Sequence, residues 1–208
     1  VPASEAPPLP KPAAPPPTPP SIVDAVAAAL PKANAAREEA LAILRGIFEG
    51  VKIGKPVDSP ALKHAVAMLL ENLLHRPEAS LILTKMHQFE GDLLVHAVDV
   101  CVLALLIGQQ EELSPEQLEA LGVGAMLHDL GKTRLPRNLL RRSNGYSPQA
   151  QKLLNEHPRL GVSLLNYNKE VPDEARRIIV EHHEYVDGSG FPEGRTAAQL
   201  SPLSQIVG

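Results

Sequence analysis

Five of the eight histidines in this 208-residue chain form a set able to do chemistry: His96, His128, His157, His182 and His183, with Asp129 beside the second. Imidazole and carboxylate donors together suit mid-row divalent metals such as Fe, Mn or Zn rather than Ca. The run Leu127-His128-Asp129-Leu130-Gly131-Lys132 has an apolar helix deliver a His and an Asp at its C-terminal end, where Gly131 is expected to stop it. A carboxylate has two oxygens and can bridge two metal ions ~3.5–4 Å apart, and a flanking His can complete one ion's shell. His182 and His183 are consecutive, so on a helix they point about 100° apart. They can therefore address two ions, or one ion and its substrate. His64, His75 and His87 lack such company and read as ordinary surface or core histidines. Burying so many ionisable groups on apolar helices with no metal to bind them would be costly.

The elements that must position these residues are helical. Ala40, Leu44, Ile47 and Val51 form a narrow stripe on a helix ending near Gly50 and Gly54. Ser59-Pro60 starts a second helix with Leu62, Val66, Leu69 and Leu73 inward, and Pro77 closes that region. Further helices are expected from Asp92 to Gly108, Ser114 to about His128, Ser147 to Tyr167, and Pro172 to His183. Ser114 with Gln117 is a capping-box pattern, and Pro115 suits the first helical position. No alternating strand pattern or repeat is visible. The expected fold is all-α, a bundle of about seven or more helices. Turns fall at Gly131, at Ser143-Asn144-Gly145 and at Asp187-Gly188-Ser189-Gly190, the last a turn-rich loop directly after the histidine pair. The stripe from Ala40 to Val51 also suggests helix pairing between two subunits, a homodimer.

Composition bounds the rest. Hydrophobic content of 44% and 21% charged residues fit an ordinary globular domain, with an aliphatic core because only six residues are aromatic. Net charge −4 and a pI near 6.1 argue against a DNA- or lipid-coating protein. The single Cys101 rules out an internal disulfide framework and suits a reducing, cytoplasmic setting. The longest apolar run, Leu93 to Ile107, is broken by His96 and Asp99, so no membrane span is expected. Residues 1–20 are half proline and should form an extended linker, spanning on the order of 60 Å. A linker, and a start at Val1 rather than Met, suggest part of a longer gene product with a preceding domain.

Taken together, His128-Asp129-Leu130-Gly131-Lys132, Glu156-His157-Pro158 with Gly161, and His182-His183-Glu184 through Asp187-Gly188-Ser189-Gly190-Phe191-Pro192 resemble the HD-GYP branch of the HD superfamily. The likeness runs from about Ala36 to the last residue, and several separated motifs agree in order and spacing. It implies an all-α HD-domain bundle: a Pro/Ala-rich linker at 1–20, a helical segment at 21–84, and a C-terminally incomplete catalytic part at 85–208. It implies a bacterial phosphodiesterase that hydrolyses cyclic di-GMP to the linear dinucleotide or GMP with two or three metal ions, commonly Fe or Mn. His96, His128, Asp129, His157, His182 and His183 would be the ligands. Asp129 would bridge the ions, and Lys132 would contact the scissile phosphate. The loop residues Asp187, Gly188, Gly190, Phe191 and Pro192 would face substrate or a diguanylate cyclase domain.

Departures from the family pattern carry their own expectations. Asp92 stands one turn before His96, where three-metal members place a Glu ligand, so Asp92 is expected to bind a third ion. Asp99, one turn beyond His96, should orient that ring or face solvent. Phe191 replaces the name-giving Tyr, and Tyr185 stands where Arg is usual. The family continues past Gly208 into a helix with a further Asp ligand and basic residues. These departures leave a rival expectation, a catalytically degenerate module that binds nucleotide or a signalling partner. A third, a hydrolase of another nucleotide, accounts for His128-Asp129 but not for the Asp187–Pro192 loop.

Overall fold

The computed structural model describes residues 21–87, 92–140 and 145–208. The proline linker and the Ser143-Asn144 turn lie outside the described residues. Ten α-helical segments, and no strand, occur among the described residues.

Helix α1 (Ile22–Lys52) begins where the Ser21 hydroxyl accepts the Asp24 N–H at 3.2 Å. It continues far N-terminal of the Ala40 stripe. Helix α2 (Ser59–His75) is capped by the Asp58 carboxylate, which accepts the Ala61 N–H at 3.0 Å. Pro77 does not merely end this region: it opens α3 (Pro77–His87), the position where a missing N–H costs nothing. Helix α4 (Leu93–Gln110) is capped by Asp92 and α5 (Pro115–Leu127) by the full Ser114/Gln117 capping box. A 3-10 turn (Leu130–Arg134) leads to the short α6 (Arg137–Leu140). The expected helix from 147 to 167 is broken in two, α7 (Pro148–Leu154) and α8 (His157–Ser163), because the chain turns at Asn155-Glu156. Helices α9 (Asp173–Glu181) and α10 (Pro202–Val207) complete the order.

Helix α4 packs along α5, α5 against α9, and α1 against α2 and α3. One apolar core joins Leu44, Leu62, Leu105, Leu121, Met126 and Ile178, running from α1 to α9. Each such fully buried side chain contributes roughly 1.5–3 kcal/mol. Ala40, Leu44, Ile47 and Val51 all lie in this core, so the stripe is consumed inside the chain and does not serve pairing between subunits. Helix α4 is long and apolar enough to cross a membrane by length and composition alone, yet here it packs against α5, α1 and α3. Cys101 on it is fully buried, and burial pushes its thiol up to about 12.

Asp99 neither orients His96 nor faces solvent. It is buried in an ion pair with the equally buried Arg37 of α1, 62 positions away. The pair ties α1 to the helix that carries His96, and Arg37 Nε and Nη2 are left without hydrogen-bond partners.

Candidate metal centre

The chain turns from α-helix to 3-10 turn at His128-Asp129, so both side chains emerge at the buried end of α5. Gly131 does not end the helix; it lies inside the 3-10 turn. A Cβ there would sit 1.9 Å from the His157 carbonyl oxygen, so glycine is what lets the turn press on α8. That contact brings the start of α8, and with it His157, beside Asp129. Helix α9 ends at Glu181 and delivers His182 and His183 to the same place.

Two groups of donors result, His96/His128/Asp129 and His157/His182/His183, and within each the candidate ligand atoms lie within 4.8 Å of one another. Asp129 joins them. Its Oδ2 is 3.3 Å from His128 Nε2, and its Oδ1 is 3.2 Å from His157 Nε2 and 3.9 Å from His182 Nε2. The His182 and His183 rings lie 4.2 Å apart, and both fall in the second donor group.

The ring orientations define the protons. His128 Nδ1 lies 2.7 Å from the Ala125 carbonyl oxygen, His157 Nδ1 2.8 Å from that of Leu154, and His182 Nδ1 2.9 Å from that of Ile179. A carbonyl can only accept, so each Nδ1 carries the hydrogen and a neutral ring keeps its Nε2 lone pair for the centre. His157 Nε2 and His182 Nε2 then face each other at 3.1 Å with Asp129 Oδ1 beside them, and that oxygen is buried without a hydrogen-bond partner. Three electron-rich atoms converge with no proton between them, an arrangement that fits a cation. The donor set suits a divalent metal.

Electrostatics agree. Burial raises the Asp129 carboxyl, but the groups around it, the Lys132 ammonium at 2.7 Å among them, outweigh it and hold it well below the usual carboxylate range. Burial and the neighbouring His128 push His182 well below its ordinary value. Burial and His157 take His183 down to about 4, and burial and His128 lower His96. These rings are therefore neutral at pH 7 and ready to coordinate without releasing a proton.

Lys132 donates to Asp129 Oδ2 at 2.7 Å and remains partly exposed. Asp92 is not in either donor group. It caps α4, Oδ1 accepting the Leu94 N–H at 2.7 Å, and it lines a cavity of about 480 Å³ that it shares with Lys132.

The loop after the histidines is held from inside. Glu184, buried, accepts the Glu193 N–H at 2.6 Å and the Arg195 N–H at 2.9 Å. Asp187 accepts from the Ser189 N–H and hydroxyl, and Gly188 has φ +80°. At Gly190 a Cβ would meet the Tyr185 nitrogen at 2.3 Å, so the loop folds onto its own stem. The Phe191 N–H donates to the His183 carbonyl at 3.0 Å, and its ring stacks on His183 with centroids 4.6 Å apart. The Phe191-Pro192 peptide is cis, and Tyr185 is largely exposed.

Sequence reasoning missed Glu181. It is buried next to His182 and accepts from Ser201 N–H (2.9 Å), Ser204 hydroxyl (2.7 Å), Arg177 and Arg195. It clamps α9, the loop and α10 together. The available signal was a carboxylate directly after Ile178-Ile179-Val180, with Arg177 one turn before it.

Comparisons with known proteins identify the family. The HD domain family model matches residues 65–208. A cyclic di-GMP phosphodiesterase of Pseudomonas aeruginosa is 26% identical over 167 residues, covering 80% of this chain and 40% of that protein. A cyclic di-GMP phosphodiesterase response regulator of Xanthomonas campestris pv. campestris is 30% identical over 106 residues, covering 50% of this chain and 28% of that protein. The chain thus spans less than half the length of these relatives. A solved structure described as a HDG"Y"P protein from Bdellovibrio bacteriovorus superposes with a TM-score of 0.74 at 22% identity, covering 86% of this chain and 58% of that one. The match over more than half of its length means that the chain belongs to the HD domain family.

Proposed function

We propose that the chain is the catalytic part of a metal-dependent phosphodiesterase hydrolysing cyclic di-GMP to the linear dinucleotide or GMP. The observation that carries this reading is the convergence of the His157 and His182 Nε2 atoms on a buried Asp129 oxygen that has no hydrogen-bond partner. His96, His128 and Asp129 would hold one ion, and His157, His182 and His183 a second, with Asp129 between them; Fe or Mn, or else Zn, suits these donors. Metal held there supplies Lewis-acid polarisation of the phosphodiester and a bound water of lowered pKa.

The chain's own residues do the remaining work. The backbone carbonyls fix each ring's tautomer, Asp129 stays ionised, and the Lys132 ammonium stands beside it to hold charge developing on a phosphoryl oxygen. Phe191 stacks on one face of His183 and fixes the orientation of its ring. Asp92, with one carboxylate oxygen spent on its cap, would offer the other to a third ion. In the proposed division of labour residues 1–20 are a linker and 21–84 a helical platform for 85–208, with the core running across that boundary. The Asp187–Pro192 loop would meet substrate or a diguanylate cyclase domain, and the setting would be cytoplasmic.

A 3'3'-cGAMP-specific phosphodiesterase of Vibrio cholerae is 31% identical over 81 residues, which makes that dinucleotide the competing substrate. The test is chromatography of both dinucleotides with full-length protein purified without oxygen, beside Lys132→Ala. Cyclic di-GMP turnover lost in the variant supports the reading. Bound metal with no cyclic di-GMP turnover redirects it to another nucleotide, and absence of both makes the protein a binding module.

A further inference from the structure

Two glutamates flank the paired histidines in the run Glu181-His182-His183-Glu184, and both are buried. The histidines belong to one donor group of the centre, whereas both glutamates hold a single residue of the following loop, Arg195. Glu184 Oε2 accepts the Arg195 N–H at 2.9 Å, and Glu181 Oε1 accepts from the Arg195 guanidinium. Arg195 is thus tied to the chain on both sides of the pair, by its side chain to the residue before and by its backbone to the residue after. The guanidinium also grips Glu193 Oε2, through Nε at 2.9 Å and Nη2 at 2.8 Å, which fixes its direction. Hydrogen bonds between charged groups are about twice as strong as neutral ones. The Glu181 side chain is fully buried and that of Arg195 is 29% exposed, so the arginine can be exchanged without opening the core.

Glu181 closes α9, and a single peptide unit separates it from His182, about 3.8 Å between Cα atoms with no slack. A shift of Glu181 therefore reaches the His182 ring, and metal ligands tolerate displacements of only about 0.2 Å. The other donor group, His96, His128 and Asp129, stands on α4 and at the end of α5. We propose that Arg195 is a positioning residue of the metal centre, holding His182 and His183 in ligating geometry through Glu181 and Glu184. This inference rests on the metal-centre reading. It gives the loop after the histidines a part in retaining one particular ion.

The experiment uses the full-length protein stripped of metal and the variants Arg195→Gln and Arg195→Lys. In Arg195→Gln the Glu181 carboxylate keeps Arg177, the Ser201 N–H and the Ser204 hydroxyl as donors, so the variant should fold. Titration with Co²⁺ gives a Kd for each ion, and anomalous scattering at the cobalt edge assigns each ion to its donor group. Groups that support a metal ligand carry about 10–100-fold in affinity, so Arg195→Gln should weaken the ion at His157, His182 and His183 roughly tenfold and leave the ion at His96, His128 and Asp129 within about twofold. Arg195→Lys keeps one charged donor for Glu181 and should recover part of the loss. A clamp that served stability alone would lower Tm and weaken both ions alike. Equal weakening of both ions, or a change below about twofold at the His157 group, overturns the positioning role, while wild-type loading of both groups leaves the centre standing. Wild-type protein that takes Co²⁺ at neither group overturns the centre and the proposal together.

Discussion

Gly131→Ala tests whether the close approach of the 3-10 turn to α8 builds the centre. The added Cβ would lie 1.9 Å from the His157 carbonyl oxygen and 2.5 Å from the Gly161 nitrogen, both backbone atoms that cannot rotate away. Real Cβ contacts stay above 3.0 Å, so the two segments must part by about 1.1 Å. Metal sites tolerate ligand displacements of about 0.2 Å. A parting several times larger between the Asp129 and His157 segments should therefore cost metal occupancy and about 100-fold in turnover. Overpacking of this kind costs about 2–3 kcal/mol, a fall in Tm of roughly 5–10 °C at this chain length. Gly46→Ala is the control: an α1 position with nothing within 4 Å of its Cβ, where alanine should stabilise by about 0.5–1 kcal/mol. Melting curves by circular dichroism and metal analysis by plasma mass spectrometry provide the readouts. A Gly131→Ala protein with wild-type Tm and metal content would refute the reasoning.

Three further outcomes are expected. Asp92→Ser keeps a capping oxygen for α4 but removes the charge, so it should lower metal stoichiometry by about one ion with little change in Tm; unchanged stoichiometry removes Asp92 from the ligands. Asp99→Ala leaves Arg37 buried and unpaired and should cost about 3–5 kcal/mol in denaturant unfolding, whereas the double change Arg37→Met/Asp99→Leu should recover most of it. Burial raises the Glu181 carboxyl, but the hydrogen bonds from Ser201, Ser204 and Arg177 outweigh it and lower its pKa from 4.5. A depressed carboxylate stabilises the fold above its unfolded pKa and loses that contribution as pH falls through the folded value. Acid unfolding of wild type should therefore steepen below about pH 4.5, and Glu181→Gln should flatten that dependence while lowering stability at pH 7.

What was legible in the sequence was chemistry carried by local spacing. His128-Asp129 at the end of an apolar helix, the paired His182-His183 and the Ser114 capping box each depend on neighbours within a few residues. What was hidden depends on long-range partners. Asp99 looked like a helper to His96 one turn away, but the charge that claims it comes from Arg37 on another helix. The Ala40–Val51 stripe signalled burial correctly and could not say against what, since an apolar face is equally satisfied by its own chain or by another. Gly131 signalled a helix end, whereas its role is to admit the backbone of α8. Pro77 and the Asn155-Glu156 turn show the remaining ambiguity: proline both ends and begins helices, and the break before α8 is marked only by Pro158 in its first turn.

The most direct test is anomalous diffraction from crystals of the protein purified without oxygen. Data collected on both sides of the metal's absorption edge locate each ion independently of any assay. Three ions are expected, one within bonding distance of His96, His128 and Asp129, a second of His157, His182 and His183, with Asp129 reaching both, and a third beside Asp92. Ions elsewhere, or full metal loading that leaves Asp129 uncoordinated, would contradict the account.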